Sequence, residues 1–202
     1  MALLHGIQVL SLIGRQGTGK TTIGHQVSEA KGCLHIEASD VVRSIVGVST
    51  RREDLPESNQ RTKNDPTWLG DAVAETFDES CSILRRSRVR PGTDLKLLVL
   101  TGTREIEVHE TLEQHGAHVF CVALDAPAFI RYERLKELRK APSYEYFQNQ
   151  DHAEGEIGLD LLLSLTQYQL KAGAFTNPDF LVKAVQALWE ADLAHEGDDQ
   201  WT

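Results

Sequence analysis

The amino-acid sequence predicts one α/β domain built on a largely parallel sheet. Short apolar runs alternate along the chain with longer segments of helical spacing, which is the pattern of strand–helix–strand units. The chain has 202 residues, an ordinary size for one domain. Because the sequence contains no internal repeat and no low-complexity linker, we expect a single domain over residues 1–202.

The first quarter of the chain predicts two strands and two helices. Residues 7–13 form a short apolar run ending at a glycine, typical of a buried parallel strand. Residues 19–31 have helical apolar spacing, and a glycine follows as a stop signal. A second short strand over residues 33–36 leads to a helix over residues 40–46.

The middle of the chain continues the alternation after a polar stretch. Residues 47–66 are polar and contain Gly and Pro, which predicts a loop. Residues 67–88 have helical spacing, and residues 95–101 (LKLLVLT) are the clearest strand. A helix over residues 106–115 and a strand over residues 118–124 follow.

The last third predicts the remaining helices and the final strand. Pro127 opens a helix at a position that proline tolerates. Residues 139–155 are rich in charge and aromatics and predict no definite element. Residues 159–165 fit a helix or a buried run, and residues 168–172 fit the last strand. Asn177 caps a helix that we expect to end near residue 193.

Composition and charge exclude several classes of protein. The 41% hydrophobic and 25% charged content is that of a soluble globular domain, and no apolar run is long enough to span a membrane. The first residues lack a basic region and a cleavage site, so we expect no signal peptide and a cytoplasmic location. The three scattered cysteines predict reduced thiols and no zinc site. The formal charge of -9 argues weakly against binding to a nucleic-acid backbone.

The strongest motif lies directly after the first predicted strand. Its eight residues match GxxxxGK[ST] at every fixed position, and they are Gly14, Arg15, Gln16, Gly17, Thr18, Gly19, Lys20 and Thr21. The glycines permit a turn that aims backbone N–H groups at a phosphate, and the helix that follows adds its N-terminal donors. Lys20 would neutralise the β- and γ-phosphates, and the Thr21 hydroxyl would join a Mg²⁺ shell. The motif therefore predicts an ATP and Mg²⁺ site over Gly14 to Thr22.

Three further segments resemble small P-loop kinases. Ser39-Asp40-Val41-Val42-Arg43 follows the second predicted strand, and Gly102-Thr103-Arg104 follows the third. A segment rich in arginine follows the fourth strand and contains Arg131, Arg134 and Arg139. Together with the phosphate-binding motif, these segments resemble the archaeal dephospho-coenzyme-A-kinase-like and nucleoside-monophosphate-kinase-like families over most of residues 7–180.

This resemblance implies a fold and an arrangement of ligands. The fold would be the three-layer sandwich of P-loop NTPases, with a five-stranded parallel sheet. A mobile lid would lie at about residues 139–155, and the helices of about residues 40–90 would hold the phosphoryl acceptor.

The resemblance also implies roles for particular residues. Asp40 would be the acceptor-side carboxylate, as general base or as a partner in the Mg²⁺ shell. Arg43 and Arg104 would bind an anionic acceptor. Arg131, Arg134 and Arg139 would include the lid arginines that bind the acceptor and stabilise the transferring phosphoryl group.

The chemistry of phosphoryl transfer is consistent with these roles, but simpler interpretations stand beside them. Transfer needs positioning and charge stabilisation, and arginine suits phosphate oxygens. However, Asp40 also fits a helix N-cap, and Arg131 and Arg134 are three residues apart on a predicted helix that could present both to solvent. The third strand ends in Thr101, where a Walker B strand ends in Asp, so Mg²⁺ would depend on Thr21, water and Asp40.

Three other groups of residues have weaker interpretations. His109, His115 and His118 lack a zinc spacing, and we expect the first two on a solvated helix face. Tyr144, Tyr146 and Phe147 suit either stacking on a base or packing of the lid. Two groups of basic residues are typical either of solvated helix ends or of a surface that binds a polyanionic acceptor such as DNA. One group is residues 85–90, and the other is Arg51, Arg52, Arg61 and Lys63.

The sequence thus favours a kinase with a nucleotide-type acceptor, most simply a (deoxy)nucleoside monophosphate. The hydroxymethyl group of 5-hydroxymethyluracil in DNA, as in viral kinases of similar size, and dephospho-coenzyme A are the alternative acceptors. A nucleotide-dependent switch without phosphoryl transfer is the non-enzymatic alternative. The sequence leaves the oligomeric state open between monomer and homodimer.

Overall fold

A five-stranded, fully parallel sheet forms the centre of the protein, in the order β2-β3-β1-β4-β5. The structure is a computed structural model that describes residues 3–47, 60–87, 93–139, 143–173 and 176–199. The strands are β1 (Gln8–Ile13), β2 (Cys33–Glu37), β3 (Asp94–Thr101), β4 (His118–Asp125) and β5 (Tyr168–Lys171).

Helices connect the strands and cover both faces of the sheet. Those of the described residues are α1 (Lys20–Lys31), α2 (Ala38–Val46), α3 (Trp68–Ser87), α4 (Ile106–Gln114), α5 (Ala128–Arg139), α6 (Tyr144–Glu154), α7 (Asp160–Leu165) and α8 (Pro178–Asp199). A short helical stretch over residues 60–64 precedes α3, and a π-helical turn over Gly155–Leu159 joins α6 to α7.

Two apolar cores hold the layers together, one on each face of the sheet. On one face, residues of α2, α3 and α4, such as Phe77, pack against β1 through Val9. On the other face, α1 and α8 pack against β1 through Leu10 and Leu12, and Trp189 of α8 is fully buried. This alternation along β1 is what a strand buried on both faces requires. The fold is the three-layer sandwich of P-loop NTPases.

The parallel register brings the carboxyl ends of the strands to one edge. Leu12 of β1 pairs with Thr101 of β3, and Glu37 of β2 pairs with the same threonine. Polar loops that follow these strands therefore meet at one place, which is where ligands bind in open α/β sheets.

The strand predictions are confirmed, and most of the helices begin and end within a few residues of the predicted bounds. Residues 60–64 are helical and not part of a loop, so the prediction there is wrong. The final helix continues to Asp199, beyond the predicted end near residue 193. Residues 48–59, in the rest of the predicted loop, lie outside the described residues. None of the helices in the described ranges has an apolar stretch long enough to span a bilayer.

Candidate active site

A cavity of about 300 Å³ opens at the carboxyl edge of the sheet. Its walls come from the loop between β1 and α1, from the residues after β2 and β3, and from the residues around α5, α6 and the start of α8. The polar residues that line it include Gln16, Thr18, Lys20, Thr21, Thr22, Glu37, Ser39, Thr103, Arg104, Arg134 and Glu154. The predicted phosphate-binding residues other than Arg15 thus share one cavity with the predicted Arg104.

The phosphate loop, Gly14 to Thr21, has a backbone that only glycine adopts easily. Gly14, Gly17 and Gly19 have φ angles of 144°, 84° and 97°. A Cβ atom at Gly14 would overlap the carbonyl oxygen of Leu124, and one at Gly17 would lie 2.7 Å from the carbonyl oxygen of Arg131. The glycines therefore provide both the left-handed turn and the close approach to β4 and α5.

The N-terminus of α1 has the properties of an anion site. Its N-cap residue, Gly19, contributes no side-chain hydrogen bond, and its first turn contains no acidic residue. The N–H groups of a helix's first turn have no acceptor within the helix, and together with the helix dipole they attract a phosphate. Lys20 is folded back here, since its Nζ donates to the carbonyl oxygen of Arg15 at 2.9 Å. The residues present fit the phosphates of a nucleotide.

Two of the predicted phosphate-loop residues differ in their surroundings. Gln16 lines the cavity. The Arg15 guanidinium instead donates to the backbone oxygen of Asp151 at 2.6 Å and contacts the Asp160 carboxylate. Arg15 therefore fastens the loop to α6 and α7, a contact between distant segments that sequence spacing does not reveal.

Glu37, which the sequence analysis missed, lines the cavity at the end of β2. It is the last residue of β2 and lies beside Thr101 in register, and it lines the cavity with Ser39. The Ser39 hydroxyl donates to Glu37 Oε1 at 2.8 Å. Thr101 stands at the Walker B position, and its hydroxyl bonds to His35 at 3.0 Å. Because Glu37 pairs in register with Thr101, it is the carboxylate nearest in register to that position. The position of Glu37 at the end of β2 is the sequence signal that could have identified it.

Asp40 and Arg43, predicted as the acceptor-side pair, form an ion pair with each other on α2. The Asp40 side chain is 66% exposed, and the described residues that line the cavity include neither Asp40 nor Arg43. Because α2 begins at Ala38 with Glu37 as its N-cap residue, Asp40 lies within the first turn and is not the cap.

Arg131, predicted as a lid arginine, is buried beneath the phosphate loop. Its two terminal nitrogens donate to the Asp151 carboxylate at 2.5 and 2.7 Å. Its Nε donates to Ala126 O at 2.9 Å, and Nη1 also reaches Gln16 O at 3.2 Å. Arg131 is not among the described residues that line the cavity. This geometry makes Arg131 a support of the loop and overturns its interpretation as a solvated residue.

Arg134 does line the cavity, and it joins the phosphate loop to the end of β5. It donates to the carbonyl oxygens of Ala172 and Gly173 at 2.9 Å and to that of Gly17 at 3.3 Å. The Arg134 side chain is therefore accessible from the cavity, but carbonyl oxygens hold its guanidinium in place. The Arg139 side chain lies outside the described structure.

Glu154, at the end of α6, is a further residue that the sequence analysis did not single out. It is 7% exposed and lines the cavity. Its Oε1 accepts a hydrogen bond from Arg104 Nη2 at 3.2 Å, and its Oε2 accepts one from the Gln16 N–H at 3.3 Å. A carboxylate therefore bridges Arg104 and the phosphate loop.

The aromatic residues of the predicted lid pack against one another. Tyr144 and Phe147 lie 5.1 and 5.7 Å from Tyr132 of α5, measured between ring centroids. The Arg131 guanidinium lies over the Phe147 ring at 5.2 Å. These contacts favour the packing interpretation for Tyr144 and Phe147, because the two rings pack α6 against α5.

The histidine group shows no sign of a metal site, and the described residues contain no cluster of three or more His, Cys, Asp or Glu that suits an ion. His115 and His118 contact Asp71 and Asp192 at 2.6 and 2.9 Å. His109, however, is 6% exposed, so the predicted solvated position is wrong for it.

His109 lies in a buried polar cluster behind the cavity. Its Nε2 lies 2.9 Å from the Ser11 hydroxyl and 3.2 Å from that of Thr103, and its Nδ1 lies 3.4 Å from Cys121 Sγ. Burial lowers the pKa of His109 to about 4, because the charged ring would lose its hydration. The neutral ring thus holds Thr103, whose other side faces the cavity.

Comparison with known proteins agrees with the geometry of the phosphate loop. A family model described as an AAA domain matches residues 11–154, which is most of the chain. The chain belongs to this AAA domain family. The AAA domain match begins within β1 and ends at Glu154, so it includes the phosphate loop, the strand ends and α6.

Two archaeal proteins are similar to this AAA domain protein over most of their length. A UPF0200 protein of Pyrobaculum aerophilum is 30% identical over 165 residues, which is 80% of this chain and 86% of the relative. A UPF0200 protein of Aeropyrum pernix is 26% identical, with 85% of this chain and 88% of the relative covered.

Solved structures share the fold at low sequence identity. A gluconokinase from Sinorhizobium meliloti matches with a TM-score of 0.57 and 15% identity, covering 98% of this chain and 99% of that one. A shikimate kinase from Acinetobacter baumannii, in complex with shikimate, matches with a TM-score of 0.52 and 18% identity, covering 92% and 94%. The chain therefore has a kinase-like P-loop fold.

Proposed function

We propose that this protein is an ATP- and Mg²⁺-dependent phosphotransferase with a small nucleotide-type acceptor, most simply a (deoxy)nucleoside monophosphate. The observation that carries the proposal is one cavity that is lined by the phosphate loop with Lys20 and also by Glu37 and Arg104. A donor phosphate, a carboxylate and an acceptor-binding cation can therefore act on one reacting centre.

The donor half of the site supplies charge stabilisation. The N–H groups of the phosphate loop would bind the β-phosphate, and Lys20 would leave the Arg15 carbonyl to reach the γ-phosphate. Bound Mg²⁺ would neutralise developing charge on the phosphate oxygens. Thr21 and Glu37 are the residues in the cavity that would hold the ion or its waters.

The acceptor half binds and orients the attacking group. Arg104 would bind an anionic group of the acceptor, since a guanidinium suits phosphate and carboxylate oxygens. We assign to Glu37 the role predicted for Asp40, because Glu37 lines the cavity and Asp40 is paired with Arg43 outside it. Ser39 would keep the Glu37 carboxylate oriented through its 2.8 Å hydrogen bond.

A hydroxyl acceptor is the second candidate, and the position of Glu37 is the observation that favours it. A hydroxyl must lose its proton as it attacks, so a carboxylate at the acceptor end is useful, whereas the ionised phosphate of a nucleotide needs no base. Dephospho-coenzyme A and the hydroxymethyl group of 5-hydroxymethyluracil in DNA both belong to this class. A DNA acceptor would also need the basic residues that the sequence analysis identified, and part of these lies outside the described residues.

Acceptor-dependent ADP production tests the proposal. The protein would be incubated with ATP and Mg²⁺ and with each nucleoside monophosphate, dephospho-coenzyme A, or duplex DNA with and without 5-hydroxymethyluracil. We expect ADP production to rise with one class of acceptor. ADP production that no acceptor changes, together with tight nucleotide binding, would contradict the transferase and favour a nucleotide-dependent switch.

A further inference from the structure

The segment of residues 144–165, here called the latch segment, is fastened to the phosphate loop. It comprises α6, the π-helical turn and α7. Arg15 of the loop binds the Asp151 backbone and the Asp160 carboxylate, and Arg131 binds the Asp151 side chain. Several charged contacts at once therefore hold the latch segment against the phosphate loop.

Glu154 is the residue of the latch segment that enters the cavity. One carboxylate oxygen accepts from Arg104 and the other from the Gln16 N–H, at 3.2 and 3.3 Å. Its side chain is only 9% exposed, while that of Arg104 is 29% exposed. Glu154 therefore binds the Arg104 guanidinium at the acceptor end and a backbone amide of the phosphate loop at the same time.

The kink after α6 determines where Glu154 points. The π-helical turn contains Gly158 with a φ angle of 123°, and a Cβ atom there would lie 3.4 Å from the carbonyl oxygen of Arg104. A Cβ atom at Gly155 would lie 2.5 Å from Asp160 Oδ2. Both glycines allow the kinked turn to press closely on its neighbours.

A carboxylate in this position opposes the binding of anions. A phosphate near Arg104 would meet the negative charge of Glu154 at short range, and it would have to compete for the guanidinium that Glu154 already binds. Because the Glu154 side chain is only 9% exposed, both effects are larger than at the surface. An anionic acceptor must therefore displace Glu154 from Arg104.

We propose that Glu154 is a specificity-determining residue that acts as an internal anion on Arg104. It holds the latch segment against Arg104 and the phosphate loop, and a phosphate-bearing acceptor replaces it and frees the segment. Acceptors without an anionic group cannot displace it. This inference deepens the proposed function and rests on it for the identity of the acceptor, but its test requires no turnover.

Binding of inorganic phosphate, measured calorimetrically with Mg²⁺ and ADP present to fill the phosphate loop, tests this role. The proteins compared are wild type, Glu154→Gln, Arg104→Gln and the double variant. Glu156→Gln is the matched control, since Glu156 is two residues away, has a 70% exposed side chain and contacts only His152 among the contacts described for it. Thermal unfolding of each variant verifies that it is folded.

We expect Glu154→Gln to bind phosphate about tenfold more tightly than wild type, and Glu156→Gln to bind it unchanged. In the Arg104→Gln background the same substitution should change affinity by less than about twofold, because the two residues act as a pair. Unchanged or weaker phosphate binding by folded Glu154→Gln would overturn the proposal, as would an equal gain in both backgrounds. Failure of ADP to bind would count against the proposed function and not against this role of Glu154.

Discussion

At the scale of single residues, the site depends on which of two neighbouring carboxylates reaches the cavity. Glu37 and Asp40 are three residues apart, and both lie near the end of β2. Glu37 lines the cavity and accepts from Ser39, whereas Asp40 is mostly exposed and paired with Arg43. The sequence pattern indicated only Asp40, but because α2 starts at Ala38, it is Glu37 that lines the cavity.

Substitution of these two carboxylates separates their roles. We expect Glu37→Gln to lower kcat about 100-fold with the acceptor that is used, because the substitution removes a base or a charged partner of Mg²⁺. Asp40→Asn should lower kcat by less than about threefold, since a surface ion pair contributes little. Steady-state kinetics at saturating ATP measures both. A larger loss in Asp40→Asn than in Glu37→Gln would restore the role predicted from the sequence.

The buried His109 makes stability depend on pH. Its pKa is about 4 in the folded protein and 6.5 in an exposed histidine, so between these values the unfolded chain binds a proton that the folded protein does not. Stability contributed by the neutral ring is therefore complete above pH 6.5 and is lost as the pH falls.

Urea unfolding at pH 7 and pH 4.5 measures this effect. We expect His109→Gln to lose less stability than wild type between the two pH values, by on the order of 2 kcal/mol. His152→Gln serves as the control, because the His152 side chain is 81% exposed. An equal loss in wild type and His109→Gln would show that other groups cause the acid sensitivity.

At the scale of elements, the phosphate loop is supported by helices that follow it by more than a hundred residues. Arg131 of α5 links the loop backbone at Gln16 to Asp151 of α6. The sequence predicts the helix that Pro127 opens but no definite element at α6. It cannot predict this link, because the pairing of Arg131 with Asp151 depends on how α5 and α6 pack. The catalytic role of Arg131 was implied by the family resemblance, which does not include this pairing.

Removing Arg131 should therefore reduce stability. We expect Arg131→Met to lower the free energy of unfolding by about 3 kcal/mol, because it leaves the Asp151 carboxylate, whose side chain is only 15% exposed, with just the longer contact to Arg15. Arg131→Met combined with Asp151→Leu should recover part of the loss. Urea unfolding measures these changes. A large loss of turnover in Arg131→Met with stability unchanged would instead support the catalytic role.

At the scale of the whole molecule, the parallel register gathers the site from segments far apart in the chain. The strands and the phosphate loop were predictable because their apolar runs and glycines are local signals, as residues 8–13 and Gly14 illustrate. Glu154 was not, since its role comes from a kink at Gly158 that local spacing does not encode. The AAA domain match likewise supports the fold and the loop but does not identify an acceptor.

The most direct test of the central claim is transfer of label from γ-labelled ATP to an acceptor in the presence of Mg²⁺. Wild type is compared with Lys20→Ala and with Lys136→Ala, a control at an exposed lysine of α5. We predict label in the acceptor with wild type and Lys136→Ala, and at least about 100-fold slower transfer with Lys20→Ala. Equal transfer by Lys20→Ala, or label that leaves ATP only as free phosphate, would contradict the account of this cavity as a phosphotransferase site.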